Sequence, residues 1–269
     1  MSSTFPPLKL SSPATKEFWE LPVVHEDSEL LAVDKASKLL SSPDRYDKDR
    51  ASLMGMIHRD IASKARWTSQ RNISYLANVQ RLDFETSGIL LLAKSKPSLV
   101  NLVNQFGAKK PVKTYLALAH GWPEDDEFEV NVKLAPHPER TGYIVPSPKR
   151  GKFSVTRFKV LERFTGYCLL ECSPLTGRTH QIRVHLKTKG LPIVADPLYG
   201  GRTLFLSEFK HDYRLKTGRE ENPLMGRVAL HASGLKVIHP STEEPVEMRC
   251  EPPKDFRVAL KYLRQLAKR

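Results

Sequence analysis

The chain has 269 residues, 40% hydrophobic and 27% charged, the balance of a globular protein, and no apolar run approaches the roughly 20 residues of a membrane span. Lys and Arg number 43 against 30 Asp and Glu, a formal net charge of +13. That excess favours a polyanionic partner, nucleic acid before an anionic membrane surface, because cationic side chains displace the counterions condensed on phosphates. The three cysteines, Cys168, Cys172 and Cys250, form no CxxC pair and read as reduced thiols of a cytoplasmic protein. The N-terminus shows no basic region followed by an apolar stretch, so no secretory signal is expected.

Residues 1–20 are rich in Ser, Thr and Pro near their start and are expected to form a flexible arm, with one domain over 21–269. Val23–His25, a polar turn and Leu30–Val33 predict a strand pair. Ser41 to Arg50 is polar and predicts an exposed loop. Gly88 to Ala93 is a continuous apolar run bounded by polar turns, the pattern of a strand buried on both faces. Leu99, Leu102, Val103 and Phe106 recur at helical spacing, with Pro97 at the start and Gly107 at the end.

Strands are predicted at Lys113–His120, Val155–Leu161, Tyr167–Cys172 and Leu235–His239. A helix from a Thr179 cap to Lys189 is expected to stop at Gly190, and Phe256, Leu260, Leu263 and Ala267 mark a last helix with basic residues opposite. Strands outnumber helices without alternating with them, which predicts an α+β fold.

Two segments concentrate chemistry-bearing side chains. Arg81-Leu82-Asp83-Phe84-Glu85-Thr86-Ser87-Gly88 sets a carboxylate in a polar turn before a buried strand. A rigid strand can hold such a residue at the mouth of a cleft, although an Asp in such a turn is more often structural. Thr176-Gly177-Arg178-Thr179-His180-Gln181-Ile182-Arg183-Val184-His185 opens a helix with cations, imidazoles and an amide. Arg178 and Arg183 there suit either phosphate or a buried carboxylate, and a solvated basic face is the plainer reading. His180 and His185 are five residues apart rather than four, so no metal site is expected.

Taken together these segments resemble the RluA-type pseudouridine synthases. Arg81-Leu82-Asp83 with Thr86-Ser87-Gly88 and the apolar run to Lys94 is similar to that family's catalytic motif. Lys113–Ala117 resembles its tyrosine motif, and Thr176–His185 its third signature. Pro192–Gly200 and Leu230–Ala232 match what usually follows, in the same order. The chain departs from the family at Gln80, where His is common, and at Lys35–Lys38, where a Lys-Pro-x-Gly turn is common. The stretch from Thr203 to Gly226 reads as an insertion, and the segment before Leu21 is too short for the S4 domain of many relatives.

The resemblance implies a mixed, largely antiparallel sheet with flanking helices and loops around a central RNA-binding cleft. It implies an isomerase converting specific uridines of structured RNA, rRNA or tRNA, to pseudouridine after flipping the base. Asp83 is then the nucleophilic carboxylate, Tyr115 the ring or hydroxyl against the base, and Arg183 the cation that keeps Asp83 ionised. Arg178 is the alternative partner. Arg81 would fill the space the base leaves, and Thr86, Arg178, His180 and Gln181 would contact substrate. No nucleotide fingerprint is present, so no cofactor or metal is implied, and a monomer acting in the cytoplasm without a membrane partner is expected. Three rivals remain: a non-catalytic RNA-binding protein, a uracil-releasing glycosidase, and a DNA-binding protein.

Overall fold

The computed structural model describes residues 5–44, 47, 49–210, 212–215 and 218–268. In chain order the strands and helices are β1 (Leu8–Ser12), β2 (Glu17–Leu21), β3 (Val23–Glu26), β4 (Leu30–Lys35), α1 (Leu53–Ala62), α2 (Arg66–Gln70), β5 (Ala77–Asn78), β6 (Ser87–Ala93) and α3 (Lys96–Gly107). There follow β7 (Val112–His120), β8 (Glu127–Pro136), β9 (Ile144–Pro146), β10 (Lys152–Phe164), β11 (Tyr167–Pro174), α4 (Gln181–Thr188), β12 (Leu230–Ile238), β13 (Pro245–Arg249) and α5 (Lys254–Leu266). The fold class is α+β, with mostly antiparallel strands outnumbering the helices. The chain divides into two compact units, Met1–Lys113 with Ala232–Glu251, and Thr114–His231 with Pro252–Arg269.

In the first unit β6 is the central strand. Its seven residues are all buried, as the continuous apolar run predicts. Strand β4 pairs with it antiparallel from Leu30–Ala93 to Lys35–Gly88. The turn between β3 and β4 is set by Asp27, whose Oδ1 accepts the N–H groups of Glu29 and Leu30 at 2.8 and 2.7 Å. Helix α3 is capped by Ser95 Oγ, which accepts from Ser98 N at 3.2 Å, and Pro97 stands in its first turn. Leu102 is its one fully buried apolar residue, whereas Val103, expected on the same face, is exposed. Lys94, which ends the apolar run, binds Glu26 at 3.1 Å and the Asp27 carbonyl at 2.7 Å; Glu26 also pairs with Arg71.

The segment expected as a flexible arm is an antiparallel hairpin from Leu8 to Leu21. Ser12 Oγ accepts from Thr15 N at 3.3 Å and Lys16 takes a left-handed φ of 56°, which together close the turn. Leu8, Leu10 and Leu21 are buried, so alternation outweighs the Ser/Pro composition there. Residues 1–4 of the expected arm lie outside the described residues. The single domain expected from residue 21 onward corresponds to parts of both compact units.

In the second unit the strands run in the order β7-β11-β10-β8-β9. Their core, led by Leu118, Leu170, Phe158 and Val194, receives Phe256, Leu260 and Leu263 of α5. Burying each of those side chains contributes about 1.5–3 kcal/mol. In the stretch that reads as an insertion, Leu204 bridges to Met225 and both are fully buried, while Glu208 accepts the Tyr167 hydroxyl at 2.6 Å. Residues 211, 216 and 217 of that stretch lie outside the described residues.

Candidate active site

The Asp83 turn in the first unit is fixed through main-chain groups. Leu82 N donates to Ser41 Oγ at 3.0 Å, and that hydroxyl donates back to Leu82 O at 2.9 Å. Ser41 is 3% exposed, so the loop expected from Ser41 to Arg50 begins inside the fold; residues 45, 46 and 48 of it are outside the described set. Thr86 N closes the turn onto Asp83 O at 3.1 Å. Thr86 is itself buried, and Arg81 is exposed.

Gly88 carries φ +111°, and a Cβ there would lie 2.3 Å from Ala232 O. Only glycine permits both that backbone and that approach, which ties the end of the turn to β12 within the same unit. Asp83 is thus half-buried immediately after one anchored residue and five before another. At the departure from the family, Gln80 Nε2 reaches Ile89 O at 3.5 Å, and its buried Oε1 has no hydrogen-bond partner among the described residues.

In the second unit Tyr115 lies on β7 opposite Cys172 of β11, half-buried and packed against the core. The two buried cysteines here are not nucleophile candidates: burial pushes the Cys168 thiol up to about 12 and Cys172 also well above its usual range.

The segment Thr176–His185 is knitted together by its own side chains. Gln181 Oε1 accepts from Thr176 Oγ1 at 2.6 Å and from Arg178 N at 3.0 Å. Its Nε2 donates to Val155 O and Thr156 Oγ1, both at 2.9 Å. All four bonding directions of the amide are used, which pins the Gly177 turn to β10. Gln181, expected to contact substrate, therefore holds the loop that carries Arg178. Arg178 is exposed and its Nε donates to Phe153 O at 3.1 Å.

The expected Thr179 cap is not made. Helix α4 begins at Gln181, after His180 in a left-handed conformation with φ 52° and no capping side chain. His180 Nδ1 instead meets Tyr199 Oη at 2.8 Å, and the same Oη accepts Ile144 N at 3.0 Å. His185 is fully buried, its Nε2 2.9 Å from Ser154 Oγ. Because Ser154 donates its proton to Val132 O at 2.5 Å, His185 Nε2 is the donor of that pair. Burial holds its imidazole down at about 4.

Arg183 has a carboxylate partner that the sequence does not announce. Nε and Nη2 form a two-pronged pair with Asp196 at 2.7 and 2.8 Å, and the guanidinium lies 5.0 Å from the Tyr199 ring centroid. Asp196 is fully buried and Arg183 nearly so. This planar fork holds Arg183 to Asp196 within the second unit, where the buried carboxylate offsets desolvation of the cation. Asp196 and Tyr199 are the residues that sequence reasoning left without a role. Their signal was the Pro192–Gly200 match lying in register.

The sequence model described as RNA pseudouridylate synthase matches residues 29–188, more than half of the chain. The matched span contains Asp83, Tyr115 and Arg183. Ribosomal large subunit pseudouridine synthase D of Neisseria meningitidis is 33% identical over 245 residues, which cover 91% of this chain and 61% of that protein. Ribosomal large subunit pseudouridine synthase C of Escherichia coli is 43% identical over 182 residues, 67% of this chain and 53% of that one. The chain thus spans between half and two thirds of the length of these relatives. Human RNA pseudouridylate synthase domain containing 4 shares the fold with a TM-score of 0.66 at 22% identity, covering 90% of this chain and 92% of that one. No helix among the described residues is long and apolar enough to cross a membrane. With a match of this extent, the chain belongs to the RNA pseudouridylate synthase family.

Proposed function

We propose that the protein isomerises uridine to pseudouridine in RNA of the large ribosomal subunit. The observation that carries this is the family match, whose residues include Asp83, Tyr115 and Arg183. The names of the relatives favour large-subunit rRNA over tRNA as the substrate. The net charge of +13 suits any polyanion and so supports RNA without choosing among RNAs.

In this reading the target uridine is unstacked and flipped before reaction, at a cost of a few kcal/mol. Asp83 breaks the C1′–N1 bond, either by attack on C1′ or by taking the C2′ proton so that uracil is eliminated, the proton returning to C2′ when C5 joins C1′. The freed uracil turns so that C5 faces C1′, the C5–C1′ bond forms, C5 loses its proton and N1 gains one. Atoms balance and the RNA keeps its mass. Dividing the exchange into two steps at a carboxylate lowers each barrier. Tyr115 is proposed to stack on the base or exchange a proton with it. Arg183, held in place by Asp196, is proposed as the cation that favours the ionised carboxylate. Arg81 is proposed to fill the gap in the RNA stack, with Thr86 and Gln181 shaping the turns and Arg178 and His180 facing substrate. The reading invokes no cofactor and no metal, since the isomerisation is redox-neutral, and takes the protein as a cytoplasmic monomer.

Carbodiimide mapping of large-subunit rRNA and of tRNA, with and without the gene, tests the proposal. The expected result is loss of one or a few stops in rRNA with tRNA unchanged. An unchanged rRNA map with stops lost from tRNA would move the substrate to tRNA, and an unchanged map in both would remove the activity.

A further inference from the structure

Helix α5 has an outer face that the reaction does not use. Phe256, Ala259, Leu260 and Leu263 are buried in the second unit's core, so that face of the helix is fixed inward. Lys254, Arg257, Lys261 and Arg264 follow one another at spacings of three, four and three residues, and all four are exposed. At 100° per residue they fall within an arc of about 80°, and they extend about 15 Å along the axis.

The pairing of these cations differs from that of three cations on strand β10 of the same unit. On β10 Arg157 pairs with Glu129, Lys159 with Glu127 and Arg163 with Asp126. On α5, Arg264 is held two-pronged by Glu162 at 2.8 and 2.6 Å. Lys254, Arg257 and Lys261 have no carboxylate within ion-pair distance among the described residues. The nearest acid in sequence, Asp255, is taken by the buried Arg227 at 2.7 and 3.0 Å, which holds its carboxyl below the usual range although burial opposes this. Lys254 also stands at the first helical position, where the macrodipole disfavours a cation. A row of cations stripped of local counter-charges and kept partly against helix electrostatics matches a partner that brings a row of anions.

We propose that the outer face of α5 is an auxiliary docking surface for the phosphate backbone of RNA, separate from the residues that perform the isomerisation. This rests on the proposed RNA substrate. The contacts are to phosphates, so they add affinity and register without reading sequence. An anionic membrane is the weaker occupant, because Leu266, 42% exposed, is the helix's only exposed large apolar residue.

The test uses the full chain and a fluorescein-labelled RNA duplex longer than the ridge, titrated at several salt concentrations. The variant Lys254→Gln/Arg257→Gln/Lys261→Gln is compared with Arg157→Gln/Lys159→Gln/Arg249→Gln, whose cations are all paired in the structure. Each removes three positive charges, so the comparison isolates position from net charge. Gln is a good helix former, and Lys254→Arg/Arg257→Lys/Lys261→Arg serves as the charge-keeping control. The ridge variant is expected to bind roughly tenfold to a hundredfold more weakly, with a log K against log salt slope shallower by about two. The paired-cation variant and the charge-keeping control are expected to lie within about threefold of wild type.

Equal affinity and slope for the two Gln variants would overturn the proposal. So would loss of binding to phosphatidylserine vesicles by the ridge variant with RNA affinity intact. If wild type forms no pseudouridine in rRNA and yet the ridge variant alone loses duplex affinity, the reaction assigned above fails and the docking surface stands.

Discussion

The Asp83 turn and the segment Thr176–His185 carry the two strongest motifs of the chain, and they are built in opposite ways. The first unit fixes the Asp83 turn through the backbone, by the Ser41–Leu82 clasp and the Gly88 approach to Ala232. In the second unit the motif is fixed through its side chains: Gln181 holds the Gly177 turn, Arg183 pairs with Asp196 and His185 with Ser154. The first segment is thus anchored by main-chain groups, whereas Gln181, Arg183 and His185 anchor the second by their side chains. Substitutions should therefore separate, with activity lost at Asp83 and stability lost along α4.

The largest effect is expected at Asp83. Asp83→Asn should fold and bind RNA as wild type does while pseudouridine formation falls by about 10⁴-fold or more, since an amide is no nucleophile. Thermal melting, RNA binding and product mapping on the same preparation check this, and ready turnover by the variant would remove Asp83 from the role.

Next comes the buried ion pair. Arg183→Met leaves the Asp196 carboxylate buried and unpaired, and should cost about 3–5 kcal/mol in urea unfolding. Arg183→Met/Asp196→Leu should recover a large part of that loss. A single variant as stable as wild type would mean that the pair does not hold α4. Any activity lost by Arg183→Met has to be measured where the variant is still folded.

His185 sharpens the comparison through pH. The folded protein holds this imidazole at about 4 against an ordinary 6.5. Between those values the unfolded chain takes up a proton that the folded chain refuses, so stability falls as pH drops from about 6.5 toward 4. The loss from this one group reaches about 3 kcal/mol at most. His185→Gln should flatten that limb of a stability–pH curve; an unchanged slope would show that the acid sensitivity lies elsewhere. The smallest effect is expected for Tyr199→Phe, which deprives the Ile144 N–H and His180 of their shared oxygen and should cost about 1–2 kcal/mol.

Local pattern made much of this legible. The β6 run, the α3 cap region and the apolar stripe of α5 are contiguous signals, and each became the predicted element. Strand β8 is absent from the reading although Phe128, Val130, Val132 and Leu134 alternate along it. The β1–β2 hairpin was hidden by its Ser and Pro content. The Arg183–Asp196 pair joins residues 13 apart across a loop, and neither its burial nor its geometry follows from the sequence pattern. The motif names residues without saying which are structural, because hydrogen-bond satisfaction inside a fold is a non-local property.

The most direct test of the central claim is release of tritium from RNA labelled at uracil C5, followed on purified protein with large-subunit rRNA alongside the mass of the RNA. The account predicts tritium appearing in water in step with pseudouridine, with no change in RNA mass beyond the exchanged hydrogen, and none of this with Asp83→Asn. Release of free uracil, leaving an abasic site, would contradict it, as would a protein that binds the RNA and leaves C5 untouched.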